Sequence, residues 1–348
     1  MLQTLACKTA AAWLAAVALI SVAGCVRPAG VIFPVPVRPL VWPAPPETAR
    51  IQYVGQLSTS ADLKAAVPFH EAFTRALFGG GPVYSMLSPS AVCTDGADRV
   101  FVADAGAQAV HVFNLKTRKY ARWVPAAPLA FAQPVGVAWD PSGRLFVADS
   151  VNACVYVFDT VGAYRGAIGS GQLKRPSGLS FDATKNRLLV VDTGNHCLVS
   201  FSPEGSVLEK IGGRGSVAGQ FNFPTNLVAG HDQVFVSDSL NFRVQHLDNA
   251  LKPLSVIGKK GDMPGSFSAP KGVALDSDGH LYVVDAQFES IQIFDREAQL
   301  LLTFGEEGHG PGQFWLPAGI FIDRNLIWVT DSFNRRIQVF EYIPEKRQ

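Results

Sequence analysis

Val234-Phe235-Val236-Ser237-Asp238-Ser239-Leu240-Asn241-Phe242-Arg243 carries the phrase that decides the fold: an alternating apolar strand, an aspartate, a short loop and the start of another strand. The strand and its aspartate recur as Val100-Phe101-Val102-Ala103-Asp104, Leu145-Phe146-Val147-Ala148-Asp149, Leu188-Leu189-Val190-Val191-Asp192, Leu281-Tyr282-Val283-Val284-Asp285 and Ile327-Trp328-Val329-Thr330-Asp331. The aspartates stand 45, 43, 46, 47 and 46 residues apart, a regularity in the range of propeller blades.

Working outward, each unit supplies four short strands. An inner strand follows a proline, as in Pro134-Val135-Gly136-Val137-Ala138-Trp139-Asp140, and a turn such as Asp276-Ser277-Asp278-Gly279 leads to the strand that ends in aspartate. A third follows the loop, as in Ile337-Gln338-Val339-Phe340, and a fourth resembles Leu300-Leu301-Leu302-Thr303-Phe304-Gly305. Period-two alternation between turn residues is the pattern of twisted antiparallel sheets, so the fold class is all-β: a six-bladed β-propeller of four-stranded blades. The last unit has no fourth strand after Tyr342, whereas Arg50-Ile51-Gln52-Tyr53-Val54-Gly55 stands unassigned before the first. Pairing the two is predicted to close the ring and leave no open sheet edge there. The propeller then spans residues 48–343, with 344–348 a tail.

The spacing Gly258-Gly261-Gly265-Phe267-Pro270 repeats at Gly305-Gly308-Gly312-Phe314-Pro317 and Gly212-Gly215-Gly219-Phe221-Pro224. With Asp238-Asn241-Arg243 and Asp331-Asn334-Arg336, it resembles NHL repeats, over a stretch from about Arg50 to Tyr342. Blades 1 and 2 depart from that pattern: Ala107 and Ala109 follow Asp104, and the link into blade 3 shrinks to Gly169-Ser170-Gly171-Gln172. These glycines lie between strands rather than opening a helix, so they are blade linkers and not a phosphate cradle.

The chain has 348 residues, 48% hydrophobic and 17% charged, with a net charge of +1. That balance offers no field to draw nucleic acid, and none is expected as a partner. Residues 1–24 read as an export signal, with Lys8 ahead of an apolar run from Ala10 to Val22 that is short for a bilayer span. Val22-Ala23-Gly24-Cys25 resembles the lipobox of bacterial lipoproteins. The resemblance implies cleavage before Cys25, a lipid on its thiol, and membrane attachment at about 0.8 kcal/mol per buried CH2. Val26 replaces the aspartate that retains many such lipoproteins at the inner membrane, which points to the outer membrane and to the periplasmic or surface side of the envelope. Seven prolines between Pro28 and Pro46 mark residues 25–47 as a stiff extended tether. Ser60 to Phe78 reads as one helix, with Leu63, Val67, His70, Phe73 and Leu77 along a face and Gly79-Gly80-Gly81 as its stop.

The recurring Asp104, Asp149, Asp192, Asp238, Asp285 and Asp331 are expected to accept backbone N–H bonds from the loops, joined by Arg243 and Arg336 where these occur. Function belongs to the loops that vary around that framework. Loops of blades 4 to 6 carry Phe223, Leu240, Phe242, Phe288, Trp315 and Phe333, with Asn226, Lys271 and Arg335 beside them, a composition typical of protein-binding hot spots. Propellers related through the resemblance include a zinc-dependent amidating lyase, calcium-dependent lactonases and strictosidine-synthase-like enzymes, so a hydrolase or lyase with a small molecule or a metal in the channel is the alternative. The predicted inner strands, such as Gly272-Val273-Ala274-Leu275, offer almost no ligands, and the seven histidines fall at unrelated points of the repeat. No catalytic residue, metal site or cofactor is therefore predicted. A scaffold for an unidentified protein partner leads, and partnership with envelope redox proteins is a weaker third reading. Cys93, Cys154 and Cys197 are expected as free buried thiols, since Cys154 and Cys197 occupy equivalent points of neighbouring sheets, ~10 Å apart against the ~5.5 Å a disulfide spans.

Overall fold

In the computed structural model, residues 26–36, 38–68, 74, 77–78 and 80–344 are described. The signal segment, Cys25 and the end of the tail lie outside them. Five repeats fold into four-stranded antiparallel sheets in chain order. Blade 1 comprises Pro89–Thr94, Arg99–Asp104, Ala109–Asn114 and Lys119–Trp123, and blade 5 comprises Pro270–Leu275, Leu281–Asp285, Ser290–Phe294 and Leu300–Phe304. The second strand Leu281–Asp285 is buried throughout, while the outer Leu300–Phe304 alternates between half-buried and exposed up to its buried end, Phe304. The difference follows from position: an inner strand is covered on both faces by neighbouring blades, and an outer one is not.

The core is six layers, one between each pair of adjacent blades. Blades 2 and 3 enclose Phe146, Val155, Leu179, Leu188 and Phe201, and blades 6 and 1 enclose Leu57, Val92, Val102, Trp328 and Val339. The repeated glycine and phenylalanine of the linkers belong to the same packing. Gly258 has φ +80°, and a Cβ there would stand 2.3 Å from the Phe267 ring, so the turn requires glycine for both backbone and space.

The ring closes through its two chain ends, as the sequence predicts. In blade 6, Pro317–Asp323, Leu326–Asp331 and Arg336–Tyr342 are followed by Ile51–Leu57, whose register runs from Tyr342 opposite Ile51 to Ile337 opposite Leu57. Outside that strand Val41–Trp42 adds a fifth, pairing with Ile51 and Gln52. The proline-rich stretch thus lies against the propeller instead of standing free as a tether. Its prolines alternate with large apolar anchors. Trp42 packs 5.7 Å from Phe304 and 5.8 Å from Phe340, and Phe33 sits 6.4 Å from Trp328, over a glycine, Gly55, whose Cβ would come within 2.5 Å of it. Burying two aromatic rings outweighs the solvation of an extended chain.

The single helix expected over residues 60–78 is interrupted, although Thr74, Leu77 and Phe78 are helical. Ser60–Leu63 is a 3-10 turn that ends at Lys64 in the left-handed region (φ +47°), and Val67–Pro68 pairs with Val26–Arg27. Asp62 caps the start of that turn, its carboxylate accepting the N–H groups of Ser58 and Thr59 at 2.7 and 2.8 Å, and the helical path stops where Lys64 turns left-handed. Leu63 is buried between blades 6 and 1, Leu77 is exposed, and His70 and Phe73 lie outside the described residues. Among the described residues no helix is long and apolar enough to cross a membrane.

Candidate functional site

The second strand of every blade delivers its terminal aspartate, fully buried, to the same end of the ring. Each carboxylate accepts N–H bonds from the segment that precedes its blade's inner strand. Asp149 takes Ala132 and Gln133 at 2.7 and 3.1 Å, Asp285 takes Ser268 and Ala269 at 2.7 and 2.9 Å, and Asp104 takes Leu87 and Ser88 at 2.6 and 2.9 Å. Asp192 accepts Lys174 and Arg175 in the same way. Arg243 Nε donates to Asp238 at 2.8 Å and Arg336 Nε to Asp331 at 2.7 Å. Burial opposes the charged form of Asp104, but bonds from His111 and from the N–H groups of Leu87, Ala107 and Ser88 outweigh it and hold the carboxyl below the usual range.

Further parts of this framework escape sequence reasoning. Gln245 and Gln338, seven residues after their aspartates, donate to them at 3.1 Å, and His111 stands at that position in blade 1. Hydroxyls that follow the aspartate stitch blade to blade: Thr193, Ser239 and Ser332 donate to the carbonyls of Pro224, Pro270 and Pro89 at 2.7, 2.5 and 2.7 Å. The fourth residue after each aspartate, Gln108, Ala153, His196, Phe242, Glu289 or Arg335, is left-handed, with φ between 49 and 56°. None is glycine, so no local signal marks the turn; only comparison of the six loops in register reveals it.

Upon this framework the predicted face residues divide. Trp315 and Phe333 are exposed, 42% and 53%, and meet edge to face at 5.3 Å, with the His309 ring 5.2 Å from Trp315. Leu240 is likewise exposed and Arg335 beside Phe333 is exposed without an ion pair among the described residues. Phe223 is half-buried between His196 at 4.4 Å and the Arg175 guanidinium at 5.9 Å, and Phe242 lies half-buried beneath the Lys260 ammonium at 5.0 Å. Phe288 is half-buried, its N–H turned to Asp285 at 3.3 Å. Sequence reasoning missed Leu87 and Val151, exposed apolar residues of blades 1 and 2. Val151 stands at the same repeat position as Leu240 and Phe333, two after the aspartate, which was the available signal.

Along the axis runs a channel of about 320 Å³ lined by Val92, Val137, Leu179, Leu227, Val273 and Ile320, with Ser180 and Asn226 among its polar residues. Ser180 Oγ accepts the Ala229 N–H at 3.1 Å and Asn226 Oδ1 accepts that of Leu227 at 2.7 Å. At the loop end the axis widens into a polar recess of about 390 Å³ lined by Gln133, Arg175, Ser177, Thr225, Asn226 and Lys271. A third hollow, of about 670 Å³, lies at the opposite end between blades 5 and 6. Its polar groups bond one another, Tyr342 Oη donating to Asp278 and Tyr282 Oη to Asp276, both at 3.2 Å. Among the described residues no group of three or more His, Cys, Asp or Glu is disposed to hold a metal. Cys93, Cys154 and Cys197 are buried and unbridged.

The family model of the NHL repeat matches residues 131–158 and 173–201, and the chain carries NHL repeats within a six-bladed propeller. Among solved structures it is similar to a structural-genomics protein of unknown function from Bacteroides thetaiotaomicron, with TM-score 0.61, 16% identity, and 74% of this chain and 70% of that one covered. It is also similar to an auxiliary nutrient binding protein from Bacteroides ovatus (TM-score 0.58, 12% identity, 75% and 70% covered). Virginiamycin B lyase from Staphylococcus aureus matches with TM-score 0.54 and 13% identity, over 74% of this chain and 95% of the lyase. At these identities the likeness is one of fold.

Proposed function

We infer that this protein is a binding propeller of the bacterial envelope, held there by a lipid on Cys25, and that it engages a partner protein through its loop face. The observation that carries the reading is the exposed pair Trp315 and Phe333, flanked by Arg335, on a face to which all six blades contribute loops. Aromatic anchors beside an unpaired arginine are the composition of binding hot spots, in which a few side chains supply most of the affinity. Rigidity supports the same reading. Each loop is fastened to a buried carboxylate, so the face reaches its binding geometry without the entropy cost of ordering loops. The exposed cations Lys174 and Arg335 suit a partner with an acidic surface around an apolar patch.

The test is crosslinking in intact cells followed by affinity capture. The wild-type chain is expected to retain a defined partner that Trp315→Ala and Phe333→Ala each lose, both variants melting as the wild type does. Retention of every partner by both variants defeats the reading. For the anchor, Cys25→Ser is expected to shift the chain from the membrane to the soluble fraction, and unchanged fractionation overturns it.

A further inference from the structure

The six inner strands enter the axis in one way, and two residues break the pattern. In every blade the ladder between inner and second strand slips just after the leading proline, as between Pro270 and Val273 or between Pro224 and Asn226. Such bulges bend a strand and re-aim its side chains, and here six of them ring the mouth of the channel. The residue after that proline is Ser90, Val135, Ser177, Thr225, Lys271 and Ala318 in turn. The next is Ala91, Gly136, Gly178, Asn226, Gly272 and Gly319, and close approach accounts for the small residues: a Cβ on Gly178 would stand 2.5 Å from Asn226 Cα, and one on Gly136 1.9 Å from Ser177 O. Against this background of small, neutral side chains a lysine and an asparagine stand out, in adjacent blades.

Arg175, on the residue before the proline of blade 3, completes the set, so blades 3, 4 and 5 bring Arg175, Asn226 and Lys271 to one recess. Neither cation has an ion-pair partner or a side-chain hydrogen bond among the described residues, and the Asn226 amide nitrogen has none either. Among the described residues no acidic side chain lines the recess. The loop aspartates are buried and engaged, Asp192 with the N–H groups of Lys174 and Arg175 themselves. The surrounding walls strip water from the Lys271 ammonium and draw its pKa below the ordinary value, although the side chain remains open to the recess. A partly desolvated cation with no counter-charge is a binding asset when an anion supplies that charge. The volume, about 390 Å³, is that of a small-ligand pocket.

We propose that the axial recess binds a small molecule through a carboxylate or phosphate group, held by Lys271 and Arg175 and by an N–H of Asn226. Gln133 and the hydroxyl-bearing lining give the remainder of the ligand polar surroundings. This site is independent of the aromatic pair on blade 6, so either reading can fail alone.

Isothermal titration of the purified full chain with inorganic phosphate, and separately with succinate, at constant ionic strength set by chloride, tests it. Saturable binding of at least one anion is expected, and the stronger of the two identifies the group. Lys271→Thr installs the residue that blade 4 carries at this position and should leave the melting temperature unchanged while weakening binding tenfold or more. Arg175→Ala should weaken it comparably, and Lys271→Arg should keep it within about threefold, since the guanidinium retains charge and donors. No saturable binding of either anion, or equal binding by wild type and Lys271→Thr, overturns the proposal.

Discussion

Leu57→Ala is the sharpest test of how the ring is closed. Leu57 ends the strand contributed by the N-terminal side of the domain, is fully buried, and packs between blades 6 and 1 with Trp328, Val339, Val92 and Met86. Truncation removes three carbons, about 2.4 kcal/mol at ~0.8 per buried CH2. The cavity left behind raises the cost to about 3–5 kcal/mol, because a layer fixed by strands on both sides cannot collapse into it. For a domain of this size each kcal/mol moves the melting temperature by roughly 2–4 °C, so the variant should melt about 6–20 °C lower. Leu301→Ala is the matched control: it lies on the corresponding fourth strand of blade 5 but is 52% exposed, and its cost should stay within about 0.5 kcal/mol. Deleting residues 48–57 is the extreme case, exposing the edge of Arg336–Tyr342 and abolishing cooperative unfolding. Differential scanning calorimetry reads all three. If Leu57→Ala melts with Leu301→Ala, or the deletion unfolds as the wild type does, the strand is ornamental and the closure is refuted.

Arg336→Ser, which installs the residue of blade 5 at that position, should cost about 3–5 kcal/mol in urea unfolding, because it strands the buried Asp331 carboxylate and frees the carbonyls of Gly310 and Gln313; a cost below about 1 kcal/mol would show that the remaining donors suffice. Gly136→Ala should destabilise by about 1–3 kcal/mol or more, since its Cβ meets the Ser177 carbonyl of the next blade, and a neutral result in the same assay would contradict the axial packing. Burial raises the pKa of Cys93, Cys154 and Cys197, the last to about 11 with Lys210 partly opposing, so alkylation at pH 8 mapped by peptide mass should leave all three unmodified until urea unfolds the chain. The linked stability is present below the unfolded thiol pKa of about 8.5 and falls as pH rises toward 11; a flat urea midpoint across that window would deny the burial.

The blade count, the strand order and the closure are legible in the sequence because each rests on a period. Six aspartates at near-constant steps fix the number, and a missing fourth strand at one end with an unassigned strand at the other fixes the join. What stays hidden has no period. The segment from Ser60 presents apolar residues at helical spacing, yet the left-handed Lys64 and a pairing of Val67–Pro68 with Val26–Arg27 interrupt that pattern. Phe33 and Trp42 are anchors among prolines, and their seats on Trp328, Phe304 and Phe340 are long-range contacts that proline density cannot announce. Face residues are intermediate: the positions of Trp315 and Phe333 on loops could be read, but not that Phe223 is covered by Arg175 and His196 while Trp315 is left open.

Framework and function separate cleanly by repeat position. The aspartate, the left-handed residue four places on and the bulge after the proline recur in all six blades, so they set the backbone and carry no information about a ligand. Two places after the aspartate the chain instead carries Gly106, Val151, Gly194, Leu240, Gln287 and Phe333, and at the axial mouth it carries four small neutral residues and a valine beside Lys271. An invariant backbone presenting unlike side chains is a rigid display, in which a substitution alters chemistry without moving its neighbours. Recognition on such a surface is therefore sought in departures: where the repeat tolerates a serine or a glycine the chain carries a lysine or an asparagine, and titration of Lys271→Thr with anions asks whether that departure answers a ligand.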